Sequence, residues 1–317
     1  MQQDQTTGQF SRPDILRPPS EWRSYYLPLT SGCSNNTCDF CGFYRRRLGL
    51  RDVDDVKKEI DALALYMSHH VRLPGIPEIV YYIADNWDGE RVFLQDGDAL
   101  VYPFTRMVEV LQYLRDKLPH VKRVAAYATP MDVLRRTPEE LRTLKELNLG
   151  ILYVGVESGD DDVLSSVHKG TTSAQMVEAA RRVKEAGILL SVTAILGLAG
   201  VAGSQKHALA TAQALSAMDP DFAGALTLTI VPGTPMYDRV SKGELEMVTP
   251  FQSLEELRTI VENASFTNCF FSSMHASNYF SIRGTLPRDK DRMLRQLDSV
   301  LQEKDPRLLR PEFLRGL

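Results

Sequence analysis

The chain has 317 residues, a formal net charge of -4, 43% hydrophobic and 25% charged residues. That length can bury a sizeable core in one large α/β domain or two smaller ones. The charge balance lacks the basic excess of a phosphate-tracking nucleic-acid binder, and no run of about 18 apolar residues offers a membrane span.

Taken from the N-terminus, residues 1–20 are polar and carry Pro13, Pro18 and Pro19, the composition of a loosely ordered leader. The start has no basic stretch followed by an apolar core, so a cytoplasmic location is expected. From residue 21 onward, short runs rich in β-branched and aromatic residues alternate with amphipathic helical stretches. The expected strands are RSYYLPL (23–29), RVFLQ (91–95), RVAAYA (123–128), ILYVGVE (151–157), LLSVTAIL (189–196) and GALTLTIV (224–231).

Helices are expected between them. Val53, Val56, Ile60 and Leu63 recur at helical spacing. Thr137-Pro138-Glu139-Glu140 has the form of an N-cap, a proline at the first helical position and a capping-box glutamate, opening a helix that runs to about Gly150. SAQMVEAARRVKEAG (173–187) begins at Ser173 and ends on Gly187 as its C-terminal cap. Six strand–helix repeats fall short of an eight-fold barrel. The expected architecture is therefore α/β, a partial (β/α)6 TIM-like barrel over residues 21–240, with residues 241–317 as a short C-terminal extension that completes the barrel and the substrate site. FTNCFFSSMHASNYFSIRGTLPRDKDRMLRQLDSVLQEK (266–304) reads as an extended segment followed by a helix. Chemistry on such a sheet gathers at the C-terminal ends of the strands.

Directly after the first expected strand, GCSNNTCDFCGFYRRR (32–47) places Cys33, Cys38 and Cys41 within nine residues. Close-spaced thiols in a reducing compartment favour metal binding or catalysis over a disulfide framework. Structural zinc needs four protein ligands, so the fourth would have to come from Cys269 or a histidine. Three cysteines with one open metal position suit an iron–sulfur cluster that does chemistry. A cluster, a zinc site and unliganded thiols all stay open on spacing alone.

GCSNNTCDFCGFY, with Phe40 just before the last cysteine, resembles the cluster-binding loop of the radical S-adenosylmethionine (SAM) superfamily, with four residues instead of the usual three between the first two cysteines. Further segments are similar to that family's in the same order. LQDGDAL (94–100) aligns Asp96, Gly97 and Asp98 with the motif that binds the methionyl amino group, without its usual double glycine. GVESGDDDVLSSVHKG (155–170) aligns Glu157 and Ser158 with the strand-end polar position, and Lys169 with a base that pairs with the SAM carboxylate. TAILGLAG (193–200) fits the adenine-side pattern through Ile195, Gly197 and Gly200, with Thr193 facing the ribose. IVPGTP (230–235), containing Pro232, resembles the sixth-strand end of the branch with oxygen-independent coproporphyrinogen oxidase and methylthiotransferase-type cores. Each segment has a plainer reading. DGD is a common turn, Glu157 suits a helix N-terminus, Lys169 a solvated surface, and the glycines a strand-to-helix turn or a phosphate cradle.

The resemblance implies a [4Fe-4S] cluster held by Cys33, Cys38 and Cys41. It implies reductive cleavage of SAM to a 5′-deoxyadenosyl radical, or by the other bond to a 3-amino-3-carboxypropyl radical, and a reducing partner such as flavodoxin or ferredoxin. Four cysteines leave no room for a second cysteine-ligated cluster, and neither a cobalamin nor an RNA-binding domain is recognised. A small-molecule substrate is therefore expected, with no nucleic acid and no membrane. His275, Ser277, Asn278 and Tyr279 form a polar group that either lines the substrate site or satisfies backbone groups inside a buried strand. Cys269 reads as a small buried hydrophobe or a hydrogen-atom donor, and Arg45-Arg46-Arg47 as a solvated face or an electron-donor contact. The reading from another class is a zinc-stabilised α/β protein whose glycine loops bind a phosphorylated ligand.

Overall fold

The structure, a computed structural model, describes residues 10–44 and 46–316, so Arg45 of the basic run and the first nine residues of the expected leader lie outside the described residues. It divides into two compact units. Of the described residues, the first comprises 10–36, 43–44, 46–153 and 182–189, and the second 37–42, 154–181 and 190–316.

The first unit carries the parallel strands β1 (Tyr25–Pro28), β2 (Arg91–Gln95) and β3 (Arg123–Ala128) in that order, paired Tyr25 to Val92 and Val92 to Val124. Strand β4 (Leu149–Glu157) belongs to this unit as far as Tyr153 and to the second from Val154. The helix Val53–His69 opens on Asp52, whose side chain accepts from the Asp54 amide, and of the four residues its periodicity singled out it buries Val56, Ile60 and Leu63 and leaves Val53 half-buried. The helix Pro138–Glu146 carries the complete Thr137/Glu140 capping box but stops at Glu146; the chain turns at Asn148, and Gly150 already lies within β4.

Residues 10–20, expected to be loose, are tied down. Arg12 forms a two-pronged hydrogen bond with Glu59 at 2.7 and 2.8 Å, and the Gln95 side chain donates to the Asp14 carbonyl. Glu59 is buried, and it also pairs with Arg51 at 2.7 Å and accepts from the Tyr25 hydroxyl. Burial alone would push this carboxyl up, but Arg12 and Arg51 hold it below its ordinary range.

The second unit continues with β5 (Leu189–Leu196, from Leu190), β6 (Phe222–Thr227), β7 (Cys269–Ser272) and β8 (Arg283–Leu286). β5, β6 and β7 are parallel neighbours and β8 turns back antiparallel to β7. The sixth expected strand thus ends at Thr227, not residue 231, and the extended segment supplies two further strands before the helix Lys290–Glu303. Along β5, Leu190, Val192, Ala194 and Leu196 are buried while Thr193 and Ile195 on the other face stay partly open. Helix Gly200–Met218 follows β5, and helix Pro250–Asn263, opened by a Thr249/Gln252 capping box, packs against it. Among the described residues no helix is long and apolar enough to cross a membrane.

Candidate functional site

In the first unit, the loop that leaves β1 is pinned by pairing of Thr30–Ser31 with Gly49–Leu50. Gly32 turns with φ +89° and donates its amide to Asp96 Oδ2 at 3.0 Å. The Ser34 amide donates to Asp98 Oδ2 at 2.8 Å, and Cys33 Sγ lies 3.9 Å from the same oxygen. The Ser34 hydroxyl reaches Asp132 Oδ2 at 3.2 Å, and Arg46 lies 3.5 Å from Asp96. Both carboxyls of the DGD segment are buried. Burial raises that of Asp96; burial first, and then the charge of Asp132, pushes Asp98 up to about 7. A Cβ on Gly97 would meet the Gly32 carbonyl at 2.8 Å and the Tyr44 ring at 2.9 Å, so only glycine lets the segment lie this close to the cysteine loop. DGD is indeed a turn, with Asp98 accepting from the Val101 amide, and the same turn grips the Cys33 backbone on both sides.

In the second unit, the Cys38–Cys41 segment is held by its Asp39. The Asp39 amide donates to the Val167 carbonyl at 3.0 Å and its own carbonyl accepts from the Met236 amide at 3.1 Å. Its carboxylate meets His168 Nδ1 at 2.8 Å and lies 3.8 Å from Arg239. The Thr37 hydroxyl donates to the His168 carbonyl. Phe40 and Ile195 pack on one apolar cluster that includes Val167, Leu198 and Met236. Cys33, Cys38 and Cys41 are each partly exposed, whereas Cys269 is buried within β7, as a small hydrophobe would be.

Next along the chain from His168, Lys169 Nζ meets Glu157 Oε1 at 2.7 Å, both side chains only about a tenth exposed (12% and 11%). Lys169 is therefore no solvated lysine. Glu157 ends β4 at φ +63°, and its carboxylate folds back over Gly155, where any Cβ would collide with it. Ser158 is buried against His207. Gly197 (φ +81°) and Gly200 (φ +64°) form the turn into helix Gly200–Met218, and the Gly197 amide donates to Glu256 Oε2 at 2.6 Å. Pro232 precedes Gly233 and Thr234, the latter capping helix Pro235–Ser241.

Of the four polar residues in the C-terminal segment, Ser277 and Asn278 are buried and spent on structure. Asn278 Nδ2 donates to the Ala225 and Ser273 carbonyls while its Oδ1 accepts from Thr227. Ser277 accepts from the Thr227 amide and meets His275 Nδ1. Tyr279 donates to Glu312, with Arg315 stacked 4.2 Å over its ring. The geometry favours the backbone-satisfying reading, with the residues in the turn between β7 and β8 and not in a strand. Sequence reasoning missed Asp39, Asp132, His207 and Glu256. Asp39 alone carried a signal, an acid between two of the clustered cysteines.

These arrangements define α/β units with parallel strands whose strand-end loops hold partly exposed thiols close in sequence, buried acids and glycine turns. The family model of the radical SAM superfamily matches residues 27–210, more than half of the chain, and the chain belongs to that superfamily, whose members are enzymes that use a [4Fe-4S] cluster and SAM. It is similar to tRNA-2-methylthio-N(6)-dimethylallyladenosine synthase of Idiomarina loihiensis, with 25% identity over 228 residues, 71% of this chain and 44% of that protein. It is also similar to the heme chaperone HemW of Bacillus subtilis, with 22% identity over 263 residues, 77% of this chain and 64% of that protein. The chain thus spans less than two thirds of either relative. Among solved structures, a radical SAM methyltransferase from Kitasatospora setae with cobalamin and a [4Fe-4S] cluster bound has a TM-score of 0.53 at 20% identity, covering 76% of this chain and 44% of that one. The fold is that of the radical SAM core, a partial (β/α) barrel.

Proposed function

We propose that this protein cleaves SAM reductively to a 5′-deoxyadenosyl radical that abstracts hydrogen from a small-molecule substrate. One observation carries the reading: each part of the cysteine loop is hydrogen-bonded to a segment that the family resemblance assigns to SAM. Gly32 and Ser34, flanking Cys33, are held by Asp96 and Asp98, and Asp39, following Cys38, is held by the turn that leads into Lys169.

The donor set fits the cluster, since three soft thiols within nine residues, all partly exposed, are of the kind that binds iron–sulfur clusters. Cys33, Cys38 and Cys41 would hold it. When bound, a [4Fe-4S] cluster would supply the electron that splits the sulfur–carbon bond of SAM. The chain's own part is placement. Asp98 and the DGD backbone would receive the methionyl ammonium, Lys169 its carboxylate, and Thr193, Ile195 and Phe40 the ribose and adenine. Glu157 holds Lys169 in place through the 2.7 Å ion pair. Arg46, set on Asp96, belongs to the loop's support more than to an open face for a flavodoxin or ferredoxin.

The domain reading is kept within this proposal: residues 21–240 as the core, and 241–317 as the segment that closes the substrate side. Release of a 3-amino-3-carboxypropyl radical would use the same residues. Two of the proteins compared above are named as a tRNA methylthio-synthase and a methyltransferase, and sulfur or methyl transfer is the reading those names favour. Mass spectrometry of the nucleoside released by the reconstituted, dithionite-reduced protein tells which bond of SAM is broken. 5′-Deoxyadenosine supports the proposal, methylthioadenosine the aminocarboxypropyl route, and S-adenosylhomocysteine methyl transfer.

A further inference from the structure

Two buried residues of the second unit have no part in this scheme, and one of them, Glu256, lies beyond the span that matches the family. His207 Nε2 is 3.1 Å from the Ile195 carbonyl and its Nδ1 is 2.8 Å from the Ser158 hydroxyl. A carbonyl only accepts, so the proton sits on Nε2 and Nδ1 accepts from Ser158. Glu256 takes the Gly197 amide on Oε2 and the Ser204 hydroxyl on Oε1, both at 2.6 Å. The Ile195 carbonyl and the Gly197 amide flank the point where β5 ends and the ladder stops satisfying backbone groups. Two side chains from two helices therefore hold that turn from opposite polarities, and His207 links it to the end of β4.

We propose that His207 and Glu256 are positioning residues that fix the loops after β4 and β5 as two walls of the SAM pocket, so that the C-terminal extension sets SAM affinity through Glu256. The proposal rests on the reading of those loops as SAM-binding. A buried carboxyl is costly to keep. Here it accepts from the amide of a glycine turn whose backbone group the strand ladder no longer satisfies.

The test uses the full chain with Glu256→Ala and Glu256→Gln. Hydrogen–deuterium exchange is followed on the protein before reconstitution, and binding of labelled SAM is measured on the reconstituted, unreduced protein together with iron content. Glu256→Ala should speed exchange across residues 193–200 and weaken SAM binding about tenfold or more, with iron content unchanged. Glu256→Gln, which keeps an acceptor for the Gly197 amide, should recover most of that affinity. Wild-type affinity in an iron-loaded alanine variant overturns the proposal, as does a loss no greater than the loss of folded protein. If the alanine variant does not fold, His207→Gln carries the test; it keeps a donor for the Ile195 carbonyl and loses Ser158, and unchanged SAM affinity there overturns the proposal as well. A wild-type protein that binds no SAM refutes the functional reading instead, while the exchange data still judge the hold on the turn.

Discussion

His207 and Glu256 should leave opposite signatures in the pH dependence of stability. Burial pushes Glu256 up from 4.5 to about 7, with Ser204 and the Gly197 amide pulling the other way. Burial lowers His207 from 6.5 to about 4. At 1.36 kcal/mol per pH unit each displacement corresponds to about 3 kcal/mol. For Glu256 the folded state holds a proton that the unfolded state has released between pH 4.5 and about 7, so its contribution falls as pH rises through that window. For His207 the unfolded state holds the extra proton between about pH 4 and 6.5, so its contribution grows with pH there. The two nearly cancel in the wild type. Relative to it, Glu256→Gln should gain up to about 3 kcal/mol on going from pH 4.5 to above 7, and His207→Asn should lose a similar amount from pH 4 to 6.5. Urea denaturation of the apo protein at half-unit pH steps measures both. Parallel pH profiles for wild type and variants would refute the reasoning.

Other outcomes follow from single contacts. Gly155→Ala drives a methyl into the Glu157 carboxylate and to within 3.1 Å of Lys169 Nζ, so it should cost about 1 to 3 kcal/mol in denaturation and lower SAM affinity as well. Glu59→Gln leaves Arg12 and Arg51 beside a neutral, buried partner, and a loss of about 3 to 5 kcal/mol should appear in the unfolding midpoint. Serine at Cys33, Cys38 or Cys41 should abolish iron retention after anaerobic reconstitution, whereas Cys269→Ser, inside β7, should keep both iron and SAM cleavage. Retained iron in any of the three loop variants would contradict the ligand assignment.

The strands were legible because their burial alternates or runs unbroken. β2, β3 and β5 start and stop where the residues indicate, and the Thr137/Glu140 box marks a helix start to the residue. Ends set by backbone conformation were less visible. Asn148 and Glu157 both take positive φ without being glycine; asparagine favours that region more than most side chains, but nothing in Glu157 announces it. β7 and β8 are four residues each and depend on neighbours far along the chain, Phe222 pairing with Phe270 and Leu286 with Cys269, so local pattern could not assign them as strands. The cysteine loop and the segments that grip it were readable as motifs. The residues that secure them, Asp132, His207 and Glu256, sit on helices whose sequence gives no reason for a buried polar side chain, and only the fold brings them to Ser34, Ser158 and Gly197.

The central claim is that three thiols of one loop hold a cluster that works on SAM. Its most direct test is anaerobic reconstitution followed by iron and sulfide counting and mass spectrometry of the nucleoside formed with dithionite. About four irons and four sulfides per chain with dithionite-dependent 5′-deoxyadenosine are predicted. Colourless protein with stoichiometric zinc, and intact SAM after reduction, would contradict the account.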